Sequence, residues 1–267
     1  PELTYVNISS NNADTAWAKV GDAISIAFTS SEVISLDSLA LIPSVSILGQ
    51  TASVLDLQNN KFSAVYVPTD SDTEGETAFE IQFSDLAGND GTPVTVSTNS
   101  TKVFFDKTPP ADFTVGLLTP TGGNQVAGIW NLTNTGMDVL VPIANDTTLK
   151  NGKVQLYGKV GSNGFEVLGS ISTILSSEIN SNKTISILGE MIEGLTGFAE
   201  GETIYVKATM TDRPGNSKES LQSTTEITID ETPASITPIS IISNNDNTTL
   251  AKVGDTVTVS FTTSEIL

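Results

Sequence analysis

Apolar and polar residues alternate with a period of two along most of the chain, which is the pattern of half-buried β-strands. The apolar rows with this spacing are Ile24, Ile26 and Phe28; Phe62, Ala64 and Tyr66; Phe79, Ile81 and Phe83; Val103 and Phe105; Val154 and Leu156; Val206, Ala208 and Met210; Ile227 and Ile229; and Val257, Val259 and Phe261. Helical spacing is weak, and the stretch 170–179 is at most a short helical turn. Since Gly, Asn and Pro separate the rows, the pattern predicts an antiparallel β-sandwich with tight turns.

Two sequence repeats divide the chain into domains. The phrase Ala18–Ile34 returns at Ala251–Leu267, displaced by 251 − 18 = 233 residues, with nine of seventeen positions identical. An Asp-x-Thr-Pro phrase occurs at 106–109 and at 230–233, and each copy follows an Asp-x-x-Gly-Asn turn at 85–89 or 212–216. We therefore expect one domain at 1–109, a second at 110–233, and a third that begins at 234 and is cut off at 267. On this interpretation the chain is a segment of a longer protein.

The charge of the chain narrows its possible partners. There are 31 acidic residues against 12 lysines and arginines, and the net charge is −19. Nucleic acid is not an expected partner, because phosphate binding requires clusters of basic residues. Membrane insertion is not expected either, because no stretch approaches the roughly 20 apolar residues of a transmembrane helix. Most of the carboxylates suit a solvated surface, but they are also the ligands that hard cations prefer.

The absence of cysteine and histidine excludes several kinds of site. Disulfides and zinc, thiolate or imidazole centres are excluded. We do not expect an enzyme, because a serine or threonine nucleophile would have no histidine base. A pair of carboxylates could hydrolyse a glycoside, but carboxylates that recur from domain to domain favour a repeated structural task.

The phrases Asn-Asn-x-Asp, Ala-Lys-Val-Gly-Asp, Phe-Thr-x-Ser-Glu, Asp-x-Ala-Gly-Asn and Asp-x-Thr-Pro resemble the bacterial immunoglobulin-like repeats of giant cell-surface adhesins. The resemblance covers the first domain and the start of the third. The second domain keeps only the phrases at 212–216 and 230–233 and resembles the divergent modules of such proteins.

This resemblance implies tandem immunoglobulin-like antiparallel β-sandwich domains in an extracellular stalk at the cell surface, with Ca²⁺ stiffening the joints. The partners would be neighbouring domains of the same chain, while other surface proteins or glycans would bind modules outside this segment. Two alternatives stay open. One is a surface-layer or filament-forming protein, and the other is a carbohydrate-binding accessory module of a secreted enzyme.

Candidate calcium ligands follow from the positions of the loops. In an immunoglobulin-like sandwich the B–C and F–G loops lie at one end, beside the incoming linker. The candidate ligands are Asp106, Asp146, Asp212 and Asn216 at the first joint; Asp230 and Glu265 at the second joint; and Glu32, Asp85 and Asn89 at the outer end of the first domain. Ca²⁺ takes about six to eight oxygen ligands in irregular geometry, which two loops and a linker can supply. The same residues also suit tight turns and stiff linkers without a metal.

Two other acidic stretches, at 70–76 and 11–14, are expected to be solvated turns away from the metal sites. Trp17 and Trp130 are expected to pack in cores or between domains rather than to bind sugars.

Overall fold

The computed structural model describes residues 1–36 and 43–264 and confirms an all-β fold of immunoglobulin-like sandwiches. The strands of the first domain are β1 (Leu3–Ser10), β2 (Trp17–Ala18), β3 (Ile24–Ser30), β4 (Ser44–Ile47), β5 (Gln50–Thr51), β6 (Ser53–Asp56), β7 (Lys61–Tyr66), β8 (Gly75–Glu76), β9 (Phe79–Gln82) and β10 (Phe104–Phe105). One sheet has the order β1-β3-β7-β6, the second has the order β5-β4-β9, and β10 lies between β2 and β8. In immunoglobulin terms, the first sheet is A-B-E-D and the second contains strands C and F.

The second domain repeats this plan with longer strands. They are β11 (Leu118–Thr121), β12 (Ile129–Trp130), β13 (Gly136–Ile143), β14 (Lys153–Val160), β15 (Glu166–Thr173), β16 (Ser181–Leu188), β17 (Thr203–Thr211), β18 (Ser217–Glu219) and β19 (Ile227–Ile229). The sheet β11-β13-β16 faces the sheet β12-β19-β17-β14-β15, which corresponds to A-B-E against a sheet containing G, F and C. Strand B is therefore β13 and strand F is β17.

After the second sandwich the described residues form an antiparallel pair, β20 (Ile236–Ser243) and β21 (Val257–Thr263), in the stretch expected to begin a third domain. Its register repeats that of the first domain, because Ile8 faces Ile26 there and Ile241 faces Val259 here. The buried pattern does not repeat, since Ile241, Val259 and most other apolar side chains of this pair are exposed.

The alternating apolar rows bury their side chains in two separate hydrophobic cores among the described residues. In the first domain Phe28 on strand B stacks on Phe62 on strand E, with ring centroids 5.2 Å apart. In the second domain the fully buried Trp130 belongs to the same hydrophobic core as the buried residues of strand F. No residue belongs to both cores, so each sandwich has its own hydrophobic stabilisation.

The helical content differs from the expectation in one respect. A 3-10 turn at Ser176–Glu178 lies within the stretch expected to contain a helical turn, and another follows strand B at Thr147–Leu149. A short helix, α1 (Gly189–Glu193), was not predicted. Five residues are too few to show a helical period, so its hydrophobic pattern gives no signal.

We expect the substitution Phe28→Ala to lower the stability of the first domain alone, by about 3–5 kcal/mol, because it leaves a cavity in one of two separate cores. Calorimetry should resolve a first transition that moves to lower temperature while the second stays in place. The control is Leu55→Ala on β6, where the side chain is exposed. A shift of both transitions together would contradict the separation of the cores.

Candidate metal centre at the domain joint

The four residues predicted at the first joint lie at one end of the second domain. Asp106 directly follows β10, and its backbone oxygen accepts a hydrogen bond from Nδ2 of Asn216 at 3.1 Å. Asp212 and Asn216 belong to the F–G loop after β17, and Asp146 lies in the B–C segment after β13. The backbone N–H of Arg213 donates to the oxygen of Thr148 at 2.9 Å, which ties these two loops together.

The F–G loop is a tight turn built around the Asp212 carboxylate. Oδ1 accepts hydrogen bonds from the backbone N–H groups of Gly215 and Asn216, both at 2.7 Å, and Oδ2 accepts Nδ2 of Asn216 at 3.0 Å. Gly215 has φ of +100°, a conformation that favours glycine. Asp146 forms a smaller turn, because its Oδ1 accepts the N–H of Thr148 at 2.8 Å. The loop sequences thus position their own carboxylates through local hydrogen bonds.

The Asp106 carboxyl group is buried at the joint and only half satisfied. Its side chain is 7% exposed. Oδ1 accepts the backbone N–H of Thr108 at 2.9 Å, whereas Oδ2 is buried without a hydrogen-bond partner. Burial, together with the negative charges of Asp212 and Glu74, raises the pKa of Asp106 to about 6. A protonated Asp106 could donate a hydrogen bond to the Glu74 carboxylate, which also favours the protonated form of Asp106.

The neighbouring acids extend the negative charge into both domains. Asp212 is 3% exposed, and its burial and the Asp146 charge raise its pKa despite the hydrogen bonds from its loop. Burial also acts to raise the pKa of Glu74, but hydrogen bonds from Thr108 Oγ1 and the backbone N–H of Lys107 hold that pKa below its usual range. Glu74 therefore carries a charge beside Asp106, which makes ionisation of Asp106 unfavourable.

Glu74 corrects the expectation for the acidic stretch 70–76. Most of the stretch is exposed as expected, Glu74 included. It does not lie away from the predicted metal sites, however, because the Glu74 carboxylate accepts the backbone N–H of Lys107, in the linker of the first joint, at 2.8 Å. The second joint repeats the contact, since the Glu200 carboxylate accepts the backbone N–H of Glu231 at 2.8 Å. A signal was present in the sequence, because Glu-Gly-Glu-Thr occurs at both 74–77 and 200–203.

The stretch 11–14 also lies at the joint rather than in a free solvated turn. Nδ2 of Asn12 donates to the Pro214 oxygen at 2.8 Å, and Nζ of Lys19 donates to the Gly215 oxygen at 2.9 Å. Nε of Arg213, the single arginine of the chain, donates a hydrogen bond to Oδ2 of Asp14 at 2.7 Å.

Trp17 completes this polar contact. The guanidinium carbon of Arg213 lies 5.4 Å from the centroid of the Trp17 ring, and Trp17 also packs against Phe104 at 5.4 Å between ring centroids. Trp17 therefore packs at the contact between the domains, while Trp130 is fully buried in the second core. Both positions agree with the packing role expected for these residues.

The remaining predicted ligands lie at the other two sites. Asp85 and Asn89 bond each other in the F–G loop of the first domain, with Nδ2 of Asn89 2.7 Å from Oδ2 of Asp85. Glu32 is exposed near the same end, where its carboxylate lies 3.3 Å from the backbone nitrogen of Pro1. Asp230 follows β19 and donates its backbone N–H to the Trp130 oxygen at 2.8 Å. Glu265 lies outside the described residues.

The donor set at the first joint fits a hard cation in its chemistry. Within residues 1–36 and 43–264, no group of three acidic side chains is arranged as a ready-made metal site. Asp106 Oδ2 is nevertheless a buried anionic oxygen with no partner, and Asp212 adds a second buried carboxylate from the other domain. Uncompensated buried carboxylates are costly, and a divalent cation is one of the few groups that can satisfy them.

Comparisons with known proteins support no function. No protein-family model matches the chain, and no curated protein matches it. A crystal structure of titin domains is similar at 10% identity over 85% of this chain and 68% of that chain, with a TM-score of 0.44. The FN1-FN3 domains of chicken CNTN1 are similar at 12% identity over 90% and 70% of the two chains, with a TM-score of 0.27.

A third similar structure is SGBP-B of Bacteroides ovatus in complex with a mixed-linkage heptasaccharide, at 14% identity over 92% of this chain and 52% of that chain, with a TM-score of 0.23. These likenesses are too distant to carry an argument about function. In the part of the chain that the structure describes, no helix is long and apolar enough to cross a membrane.

We expect the substitution Asp106→Asn to change the pH dependence of stability in the absence of metal. Because folding raises the pKa of Asp106 from 3.8 to about 6, the folded wild type loses stability as pH rises through this interval. The free energy of unfolding of the variant, relative to wild type, should therefore increase by about 1–3 kcal/mol between pH 4 and pH 7 in chelator.

The Asp85→Asn variant is a control of opposite sign for this experiment. The hydrogen bond from the Asn89 side chain, followed by that from its backbone, lowers the pKa of Asp85. This variant should lose stability relative to wild type as pH rises. If the free energies of unfolding of wild type and Asp106→Asn changed in parallel with pH, the raised pKa of Asp106 in the folded state would be contradicted.

We expect Arg213→Ala to loosen the first joint without unfolding either domain. The change removes a partly exposed ion pair and a cation–π contact, which are together worth about 1 kcal/mol. Relaxation of ¹⁵N nuclei should give the two domains more distinct rotational correlation times than in wild type. The matched control is Lys102→Ala, which breaks a surface ion pair with Glu76 inside the first domain. Equal tumbling in both variants would show that the arginine does not hold the joint.

Proposed function

We propose that this chain is a stalk segment of a large extracellular adhesin, in which Ca²⁺ holds neighbouring immunoglobulin-like domains at fixed angles. The observation that carries the proposal is the buried Asp106 Oδ2, an acceptor without a partner at the boundary between two domains. A cation bound there is held by both domains at once, so its binding energy resists bending of the joint.

The residues that would hold the cation come from four segments. Asp106 and Glu74 belong to the first domain, and Asp212 and Asp146 belong to the second; Asn216 adds an amide oxygen. Calcium would supply positive charge that offsets the repulsion among these acids. The chain's own residues hold the site together, because Asn216 caps the Asp106 carbonyl and Lys107 and Thr108 fix Glu74.

Repetition of the joint supports a mechanical role. The pair Glu200 and Asp230 repeats the pair Glu74 and Asp106, with the same hydrogen bond from the residue after the linker aspartate. A repeated joint with a large acidic excess suits a stalk, because each additional domain adds length and each joint adds stiffness. The adhesin identity and the extracellular location rest on the resemblance of the repeated phrases.

Calcium titration of the full chain tests the metal directly. Wild type at pH 7.5 should bind Ca²⁺ by calorimetry and melt at higher temperature with calcium than with chelator. Its calcium affinity should fall as pH decreases through 6, since protons compete for Asp106. The double variant Asp106→Asn/Asp212→Asn should bind at the joint at least about tenfold more weakly.

The control variant is Glu193→Gln, which neutralises an exposed acid on α1. It should keep the calcium affinity of wild type. Absence of a calcium effect on wild type at millimolar concentrations would contradict the proposal, as would equal responses in wild type and the double variant.

A further inference from the structure

The docking of the first two domains uses one surface of the first domain, which we name the A–B face and define as Asn12, Asp14, Trp17 and Lys19. Two of its residues bind backbone oxygens of the F–G loop of the second domain, Asn12 at Pro214 and Lys19 at Gly215. The other two bind a single side chain, Arg213, through an ion pair and a cation–π contact. The face therefore has two parts. Asn12 and Lys19 bind the backbone of the loop, whatever its side chains, whereas Asp14 and Trp17 bind one particular side chain and so select for it.

The corresponding loop of the third domain has the same internal hydrogen bonds as the loop that carries this face. Nδ2 of Asn245 donates to Asp255 at 2.8 Å, as Asn12 does to Asp22 at 2.7 Å. The backbone N–H of Lys252 donates to the same Asp255 oxygen at 2.8 Å, as that of Lys19 does to Asp22. The two backbone-binding residues thus have counterparts in Asn245 and Lys252, each in the same local setting.

The side-chain-selecting part is different in the third domain. At the displacement of 233 residues, Asn247 replaces the Asp14 carboxylate and Leu250 replaces the Trp17 ring. An arginine placed there would lose both its ion pair and its aromatic partner, so this face disfavours a loop of the Arg213 type.

The chain contains an F–G loop with the complementary change. In the first domain, Asp85 Oδ1 accepts the N–H of Asn89 at 2.8 Å and Gly88 has φ of +87°, which matches the turn at Asp212–Asn216. The position of Arg213 is taken by Leu86, which is 73% exposed. This loop offers the same backbone oxygens and an apolar side chain.

We propose that the A–B face of the third domain, formed by Asn245, Asn247, Leu250 and Lys252, is a docking surface for an Asp-Leu-Ala-Gly-Asn loop such as 85–89 on another copy of the first domain. Asn245 and Lys252 bind the loop carbonyls, and Leu250 packs against the leucine. The pair of side chains at the positions of Trp17 and Arg213 acts as a matching code that sets which domain follows which. This matching of side chains requires no metal. Experiments in chelator therefore test the matching alone and are independent of the calcium proposal.

Exchange of the code at the first joint tests the matching. Asp14→Asn/Trp17→Leu gives the first domain the third-domain face, and Arg213→Leu gives the second domain the leucine loop. Each change alone should increase the independent motion of the two domains, measured by residual dipolar couplings in chelator. The triple variant should recover at least about half of the lost coupling. Additive loosening in the triple variant would overturn the matching code.

Disulfide trapping tests the surface of the third domain itself, since the chain has no cysteine of its own. Full chains carrying Leu250→Cys are mixed with isotope-labelled chains carrying Leu86→Cys, in chelator and under mild oxidation. Mixed dimers should form at least about fivefold faster than with chains carrying Val96→Cys, a control position of the first domain that is 71% exposed. Adding Asn245→Ala and Lys252→Ala to the Leu250→Cys chain should remove most of this excess. Equal rates for the Leu86 and Val96 positions would overturn the proposal.

Discussion

A carboxylate held between two domains is the constraint on which the first joint depends. The linker cannot carry Asp106 into solvent, because its N–H donates to the Ala18 oxygen and its own carbonyl accepts Asn216. The side chain is therefore buried with one oxygen lacking a partner, and its pKa rises to about 6. The joint is least favourable when it is fully ionised, and either a proton or a cation relieves it.

Beside the acidic cluster of Glu74, Asp106, Asp146 and Asp212, the joint has a second group of polar contacts in which the hydrogen bonds are already formed. Arg213, Asn12 and Lys19 connect the F–G loop of the second domain to the first domain without any metal. These contacts determine which surfaces meet, and we propose that the charge of the acidic cluster determines how firmly they are held. In this account the angle between the domains is set by the polar contacts, and the stiffness responds to calcium.

The strands and the order of the loops were predictable from the sequence, whereas the contacts across the joint were not. Strict alternation at Ile24, Ile26 and Phe28 fixes a buried face, because a one-residue shift would expose every side chain. Asp106 and Asp212 could be placed at one joint because the sandwich brings linker and F–G loop together. The bond between Arg213 and Asp14 joins residues 199 positions apart in the chain, and only the relative placement of two domains determines it. Glu74 was missed because local composition does not distinguish a free acidic turn from one that contacts the linker; only the recurrence of Glu-Gly-Glu-Thr at 200–203 carried a signal.

The central claim is that calcium stiffens the first joint, and the distribution of distances between the two domains measures this stiffness directly. Spin labels on Leu55→Cys in the first domain and Ile171→Cys in the second occupy exposed positions on opposite sides of the joint. Double electron–electron resonance at pH 7.5 should give a narrower distribution of label-to-label distances with calcium than with chelator. This narrowing should disappear when Asp106 and Asp212 are changed to Asn. A distribution of the same width with and without calcium would contradict the account.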